Sequence, residues 1–295
     1  MDVRLLVALL FGACSGNPPA AHQPVALANG QFAPCGIAAA GGNVFFTTGN
    51  GALLRVAASG GEPQLLALAQ DHPCDIATDG ERVFWANYST DGSISSLPIA
   101  GGTPAVLAQG LRGPAGLTLF DGVLHWVEVT GASVSRMPAG GGDVEVLATE
   151  ESTPAALAVG PDAIYWSSVG KHSIRLLRGG SVATLATDQD APIAMRFRNG
   201  VLYWINDGDG RVFAARPGAD PQVIALTQHP DGLAVDDTNV YVSDESTILR
   251  VGLGGENPTV IASDQLAPGE MAVDDDNVYW VNTNPSGTVM KLAKR

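Results

Sequence analysis

A proline recurs at 34, 73, 114, 154, 192, 230 and 268, at steps of 39, 41, 40, 38, 38 and 38 residues. A near-constant period of this size means one supersecondary unit copied in tandem, each copy burying its apolar face against the next. Within each copy the order of segments is the same. A short apolar run follows the proline, as in GIAAA, ALAVG or GLAVD. A turn rich in Gly, Asn and Asp leads to a segment carrying aromatics, as in RVFWAN, VLYWIN or NVYWVN. A third segment such as ALLRVAA or TILRVGL ends in a Gly-rich turn, and a fourth such as QVIALT completes the copy. These segments are short, rich in Val, Ile and aromatics, and bounded by turn residues, which is the signature of strands. No window places apolar residues at i, i+3, i+4 and i+7 over a helix length. Four antiparallel strands per copy and seven copies predict an all-β fold, a seven-bladed β-propeller.

The ends of the chain fit this count. The seventh copy stops after three strands, and residues 23–29 (QPVALAN) read like the missing fourth. The first strand is therefore expected to complete the last blade and close the ring, leaving no free sheet edge at the seam. A ring closed on itself is expected to be a monomer.

With these residues laid out, the order apolar-AVD, VYW, ILRVxLxGG over 23–295 resembles the YWTD-type propeller repeats of the low-density lipoprotein receptor family and their bacterial relatives. The aromatic pairs Phe84-Trp85, Tyr165-Trp166, Tyr203-Trp204 and Tyr279-Trp280 carry the likeness; the Thr-Asp pair does not recur. The family commonly has six blades, so the resemblance implies a fold and no receptor ligand.

The first residues are of another kind. One Arg precedes an apolar run, Leu5 to Ala13, too short to span a bilayer. Gly12 and Ala13 then stand directly before Cys14. This resembles a bacterial lipoprotein signal and implies lipidation of Cys14; the alternative is a cleaved signal that releases the protein. The expected organisation is a signal peptide over 1–13, a tether over 14–22 and the propeller over 23–295. The expected location is the bacterial cell envelope, with a lipid anchor as the sole attachment to the membrane. The formal net charge of -14 argues against nucleic acid as a partner, because such a surface repels phosphates.

The aromatic columns hold Phe45, Phe84, His125, Tyr165, Tyr203, Tyr241 and Tyr279, then Phe46, Trp85, Trp126, Trp166, Trp204, Val242 and Trp280. One ring per copy at a fixed offset is what packing between blades needs, so these read as core, His125 included. Cys35 and Cys74 follow the prolines of successive copies. On a seven-fold ring with an inner Cα radius of roughly 7 Å, such neighbours lie about 6 Å apart, within disulfide reach. Export would permit the bond. The alternative is a metal site completed by His72.

Residues near the strand starts and the second turn share one end of the ring. Those able to meet a ligand there are His72, Asp75, Asp91, His172, Asp207, Asp209, His229, Asp231 and Glu270. INDGDGR at 205–211 has the alternating Asp spacing of calcium loops without their closing Glu, so calcium is the one cofactor considered; turn chemistry explains the same residues. Asp236-Asp237 and Asp274-Asp275-Asp276 also read as turns. No GxSxG, HExxH or CxxC motif occurs.

Two function classes follow. One is a binding or scaffold propeller for a protein or small-molecule ligand at the channel mouth, including a docking platform in an envelope assembly. The other is a propeller enzyme, a metal-dependent lyase or lactone hydrolase, because the layout resembles streptogramin-lyase-like proteins in outline.

Overall fold

Each inner strand starts at its proline, at Pro34, Pro73, Pro114, Pro154, Pro192, Pro230 and Pro268. Proline has no N–H to donate and is best tolerated at the first position of a strand. The preceding residue turns the chain back toward the axis in a left-handed conformation at Ala33, His72, Gly113, Thr153, Ala191 and Ala267. Only glycine takes that conformation without steric cost, so five of these six turns are mildly strained.

The structure, a computed structural model, describes residues 23–294. The signal segment, Cys14 and the tether lie outside the described residues. Seven four-stranded sheets follow one another, each antiparallel throughout. The fold is a seven-bladed β-propeller. Six blades are continuous in sequence. The seventh joins Pro268–Val273, Asn277–Asn282 and Gly287–Ala293 to the N-terminal strand Val25–Gln31. Val25 pairs with Lys291 and Gln31 with Gly287. The closing strand thus sits two residues later than the sequence pattern 23–29 placed it.

The wedge between neighbouring blades holds the core. Seven apolar clusters fill seven interfaces, and six of them pair the first aromatic column of one blade with the second column of the next. These pairs are Phe45 with Trp85, Phe84 with Trp126, Tyr165 with Trp204, Tyr203 with Val242, Tyr241 with Trp280, and Tyr279 with Phe46. The two columns therefore point to opposite faces of each blade, as alternation along a strand requires. At the remaining interface Trp166 packs on Val127 and Val134, and His125 takes the first-column place. His125 is 4% exposed. Burial lowers its pKa to about 4, so the ring is neutral at ordinary pH.

A second repeating device satisfies the buried indoles. The residue three before the proline is Gln70, Gln189 or Gln265 in blades 2, 5 and 7. Its Oε1 accepts from Trp85, Trp204 and Trp280 Nε1 at 3.0, 2.8 and 3.0 Å. The same oxygen accepts from Asn87, Asn206 and Asn282 Nδ2. Blades 3 and 4 carry Leu111 and Glu151 there, and Trp126 and Trp166 Nε1 have no hydrogen-bond partner.

Cys35 and Cys74 are joined by a disulfide, with Cα atoms 5.2 Å apart. It ties the inner strands of blades 1 and 2 where they begin.

Candidate functional site

Inner strands crowd the axis, so most copies keep small side chains on them. At the second position after the proline stand Gly36, Gly116, Ala156, Ala194 and Gly232, and at the fourth Ala38, Ala77, Ala158, Ala234 and Ala272. Some are obligatory: a Cβ on Gly36 would collide with the Cys74 carbonyl, and one on Gly232 with the Gly269 carbonyl. Ala and Gly side chains leave a cavity of about 500 Å³ on the axis. This lies within the usual range for small-ligand pockets.

Four charged residues break the small-residue rule and line that cavity: Asp75, Arg196, Asp231 and Glu270. Asp75 and Glu270 occupy the second position of blades 2 and 7, Arg196 the fourth position of blade 5, and Asp231 the first of blade 6.

Asp75 is fixed by a structural need next door. A bulge near the start of each inner strand frees the N–H of the second residue. In blades 1, 4 and 6 a hydroxyl accepts it, from Thr47, Ser167 and Ser243. Blade 3 has Val127 at the corresponding place, and Gly116 N–H donates instead to Asp75 Oδ2 at 2.9 Å. Arg196 Nη2 meets Glu270 Oε1 at 2.6 Å, and Nη1 donates to the Met195 carbonyl at 2.9 Å. This pair bridges blades 5 and 7 past blade 6. Asp231 has no hydrogen-bond or ion-pair partner among the described residues. One of its oxygens lies 3.3 Å from where a Cβ on Gly269 would sit.

The electrostatics follow from this placement. Burial, then the Glu270 charge, raises Asp75 to about 6; Gly116 N–H and Arg196 oppose the rise. Burial, Glu270 and Asp207 raise Asp231 to about 6. Asp231 is accessible along the channel, yet protein surrounds it, so water reaches it without solvating it as bulk would.

The other sequence-selected residues do not line the cavity. His72 is exposed, its Nδ1 2.8 Å from Asp71 Oδ1. His172 ends a short 3₁₀ turn, Val169–Lys171, with Nδ1 3.3 Å from the Gln189 carbonyl. His229 is exposed, and its backbone N–H donates to Asp244 Oδ1 at 2.7 Å. Asp91 and Asp207 are exposed in turns. Asp209 accepts the Arg211 N–H at 3.1 Å and faces its guanidinium at 3.4 Å, which is turn chemistry. Among the described residues no group of three or more His, Cys, Asp or Glu could hold a metal ion. Asp207 and Asp209 thus belong to no such group. Asp236 and Asp274 cap their turns, each accepting backbone N–H groups and a tyrosine hydroxyl.

Arg196 escaped the sequence reading. Its signal was present: AMRFR places an arginine in a column that is alanine in five of seven copies.

No protein-family model matches the chain, and no curated protein matches it. Solved structures do. Virginiamycin B lyase from Staphylococcus aureus matches with a TM-score of 0.79 at 14% identity, over 92% of this chain and 99% of the lyase. A streptogramin B lyase matches at 0.77 and 16%, over 92% and 96%. The WD40 propeller domain of Doa1 matches equally well, at 0.77 and 11% over 92% and 96%. A chain of the nidogen/laminin complex reaches 0.57 at 17%, over 66% of this chain and 84% of that one. At these identities the likeness is one of fold. Enzymes and a WD40 domain share it, so the fold does not choose between the two function classes.

Proposed function

We propose that the protein is a binding protein whose ligand enters the channel from the face where the inner strands begin. Asp75, Arg196, Asp231 and Glu270 hold it there. The observation that carries this reading is the placement of these four charges in a cavity whose other lining residues are uncharged. Charged groups at a crowded axis cost desolvation, and Asp231 makes no hydrogen bond or ion pair among the described residues that offsets it. The test is a thermal-shift screen of small charged solutes against the full chain and its Asp75→Asn/Asp231→Asn/Glu270→Gln variant. Hits should stabilise the parent protein and not the variant. Equal stabilisation of both would remove the channel as the site.

We also propose that the chain is exported and held at the cell envelope by lipid on Cys14, ahead of the 14–22 tether. The apolar run before Cys14 supports this. Metabolic labelling with a fatty acid should mark the parent protein and not Cys14→Ser; an unlabelled parent would leave only a cleaved or soluble form.

A second reading is an enzyme of the lyase type. Two lyases match over nearly the whole chain, and Asp75 and Asp231 are raised toward the range where a carboxylate serves as general base near neutral pH. Conversion of a screening hit, lost in Asp231→Asn, would establish catalysis; hits recovered unchanged would leave binding alone.

A further inference from the structure

Arg196 is the one basic side chain lining the cavity, among the described residues. A guanidinium presents five N–H donors in a rigid fork. Two contacts are made here, to Glu270 and to the Met195 carbonyl, so donors remain for a further acceptor. The fork geometry suits a carboxylate or a phosphate, and the carboxylate brings the smaller charge into a cavity that already holds three carboxyl groups.

The opposite charge is uncompensated. Glu270 and Arg196 offset one another, but neither Asp75 nor Asp231 has a cation within ion-pairing distance. Glu270 ties the two halves together. It is bonded to Arg196, and its charge acts on both Asp75 and Asp231. The cation-seeking and anion-seeking groups therefore share one cavity of about 500 Å³, and Glu270 acts on both.

From this juxtaposition we propose that the channel ligand is a small zwitterion, an amino-carboxylate. Its ammonium group lies against Asp231, the carboxylate without a partner, and its carboxylate takes the open donors of Arg196. Both poles are needed to meet Asp231 and the open Arg196 donors together. An amine alone leaves the open Arg196 donors unused, and an acid alone meets three carboxylates. Thr118, on the fourth position of blade 3, also lines the cavity and keeps its hydroxyl engaged with the Leu157 carbonyl. It therefore supplies no competing pole.

The inference rests on the channel-binding reading, and the experiment separates the two. Calorimetric titration of the full chain uses three probes of similar length: 4-aminobutyrate, butylamine and butyrate. 4-Aminobutyrate should bind at least about tenfold more tightly than either single-charge probe, the scale of one charge-assisted pair. Arg196→Met should reduce it to the level of butylamine, and Asp231→Asn to the level of butyrate. Unfolding midpoints of both variants confirm that the ring is intact. If butylamine binds as well as 4-aminobutyrate and Arg196→Met changes nothing, the site is a simple cation site; the zwitterion falls and channel binding stands. No heat from any probe at millimolar concentration also overturns the zwitterion, and the solute screen then decides channel binding by itself. A screen whose hits ignore the charge variant removes both.

Discussion

Between the blades the seven copies agree; on the axis they differ. At six of seven interfaces an aromatic of one blade meets the second-column residue of the next, with Trp in four of those places. On the axis, small residues give way in four blades to Asp75, Arg196, Asp231 and Glu270. The same inner strands serve both regions: in blade 4 Leu157 and Val159 pack one wedge, Ala156 and Ala158 the next, and the strand also lines the channel. The difference teaches where selection for folding ends. An interface cluster is repeated because every wedge has the same shape, whereas a ligand needs different groups from different sides.

The comparison breaks first at an interface. Trp204 is fully buried, stacks on Phe213 with ring centroids 5.0 Å apart, and is bonded to Gln189. Trp204→Ala should cost about 3–5 kcal/mol by chemical denaturation. A cost below about 1 kcal/mol would mean that the wedge does not carry the fold.

The disulfide sits on the boundary of the two regions, lining the channel while joining two blades. Cys35→Ser/Cys74→Ser releases a loop with a sequence separation of 39 residues. In the chain-entropy account this lowers stability by about 2–4 kcal/mol. An unchanged unfolding midpoint after reduction would show that blade packing alone holds this seam.

The axis gives the smallest effect and the opposite sign. In the folded protein Asp75 titrates at about 6, against 3.8 ordinarily. The folded state thus holds the proton more tightly, and stability falls as pH rises from about 4 to 6. Asp75→Asn keeps an acceptor for Gly116 N–H and removes the charge. It should unfold at a higher temperature than the parent at pH 7–8 and at the same temperature below about pH 4. His125, neutral in its wedge, loses stability as pH falls below about 6.5. It is present in both proteins, so it cancels from the difference. A variant less stable than the parent at pH 8 would contradict the account of Asp75 as a destabilising charge.

Much of the fold was legible because its signals are periodic. The prolines fix strand starts, the aromatic columns fix the wedges, and the orphan strand at 23–29 announces closure. Even the Cys35–Cys74 bond follows from equivalent places on adjacent blades. The candidate site was legible only in part. Asp75, Asp231 and Glu270 stand beside a proline and were found. Arg196 stands four residues in, inside an apolar run, and only its column reveals it. His72, His172 and His229 do not line the cavity for a physical reason: proximity to the mouth in sequence does not aim a side chain at the axis. His72 is held in a left-handed turn and is exposed beside Asp71. The Gln70, Gln189 and Gln265 acceptors were missed too, because their bond to an indole spans 15 residues and two strands.

The seam between Val25–Gln31 and Gly287–Ala293 sets an order of events. On the ribosome the first strand emerges long before its partner is made. Through most of synthesis it has an unpaired edge, and six blades can assemble in sequence without it. The ring becomes circular only when the last strand arrives. The final contact to form is therefore the one with the greatest separation along the chain, and the slowest to find. Neither seam strand contributes a lining residue to the cavity, so closure reaches the site only through Pro268–Val273 at the inner edge of the same sheet.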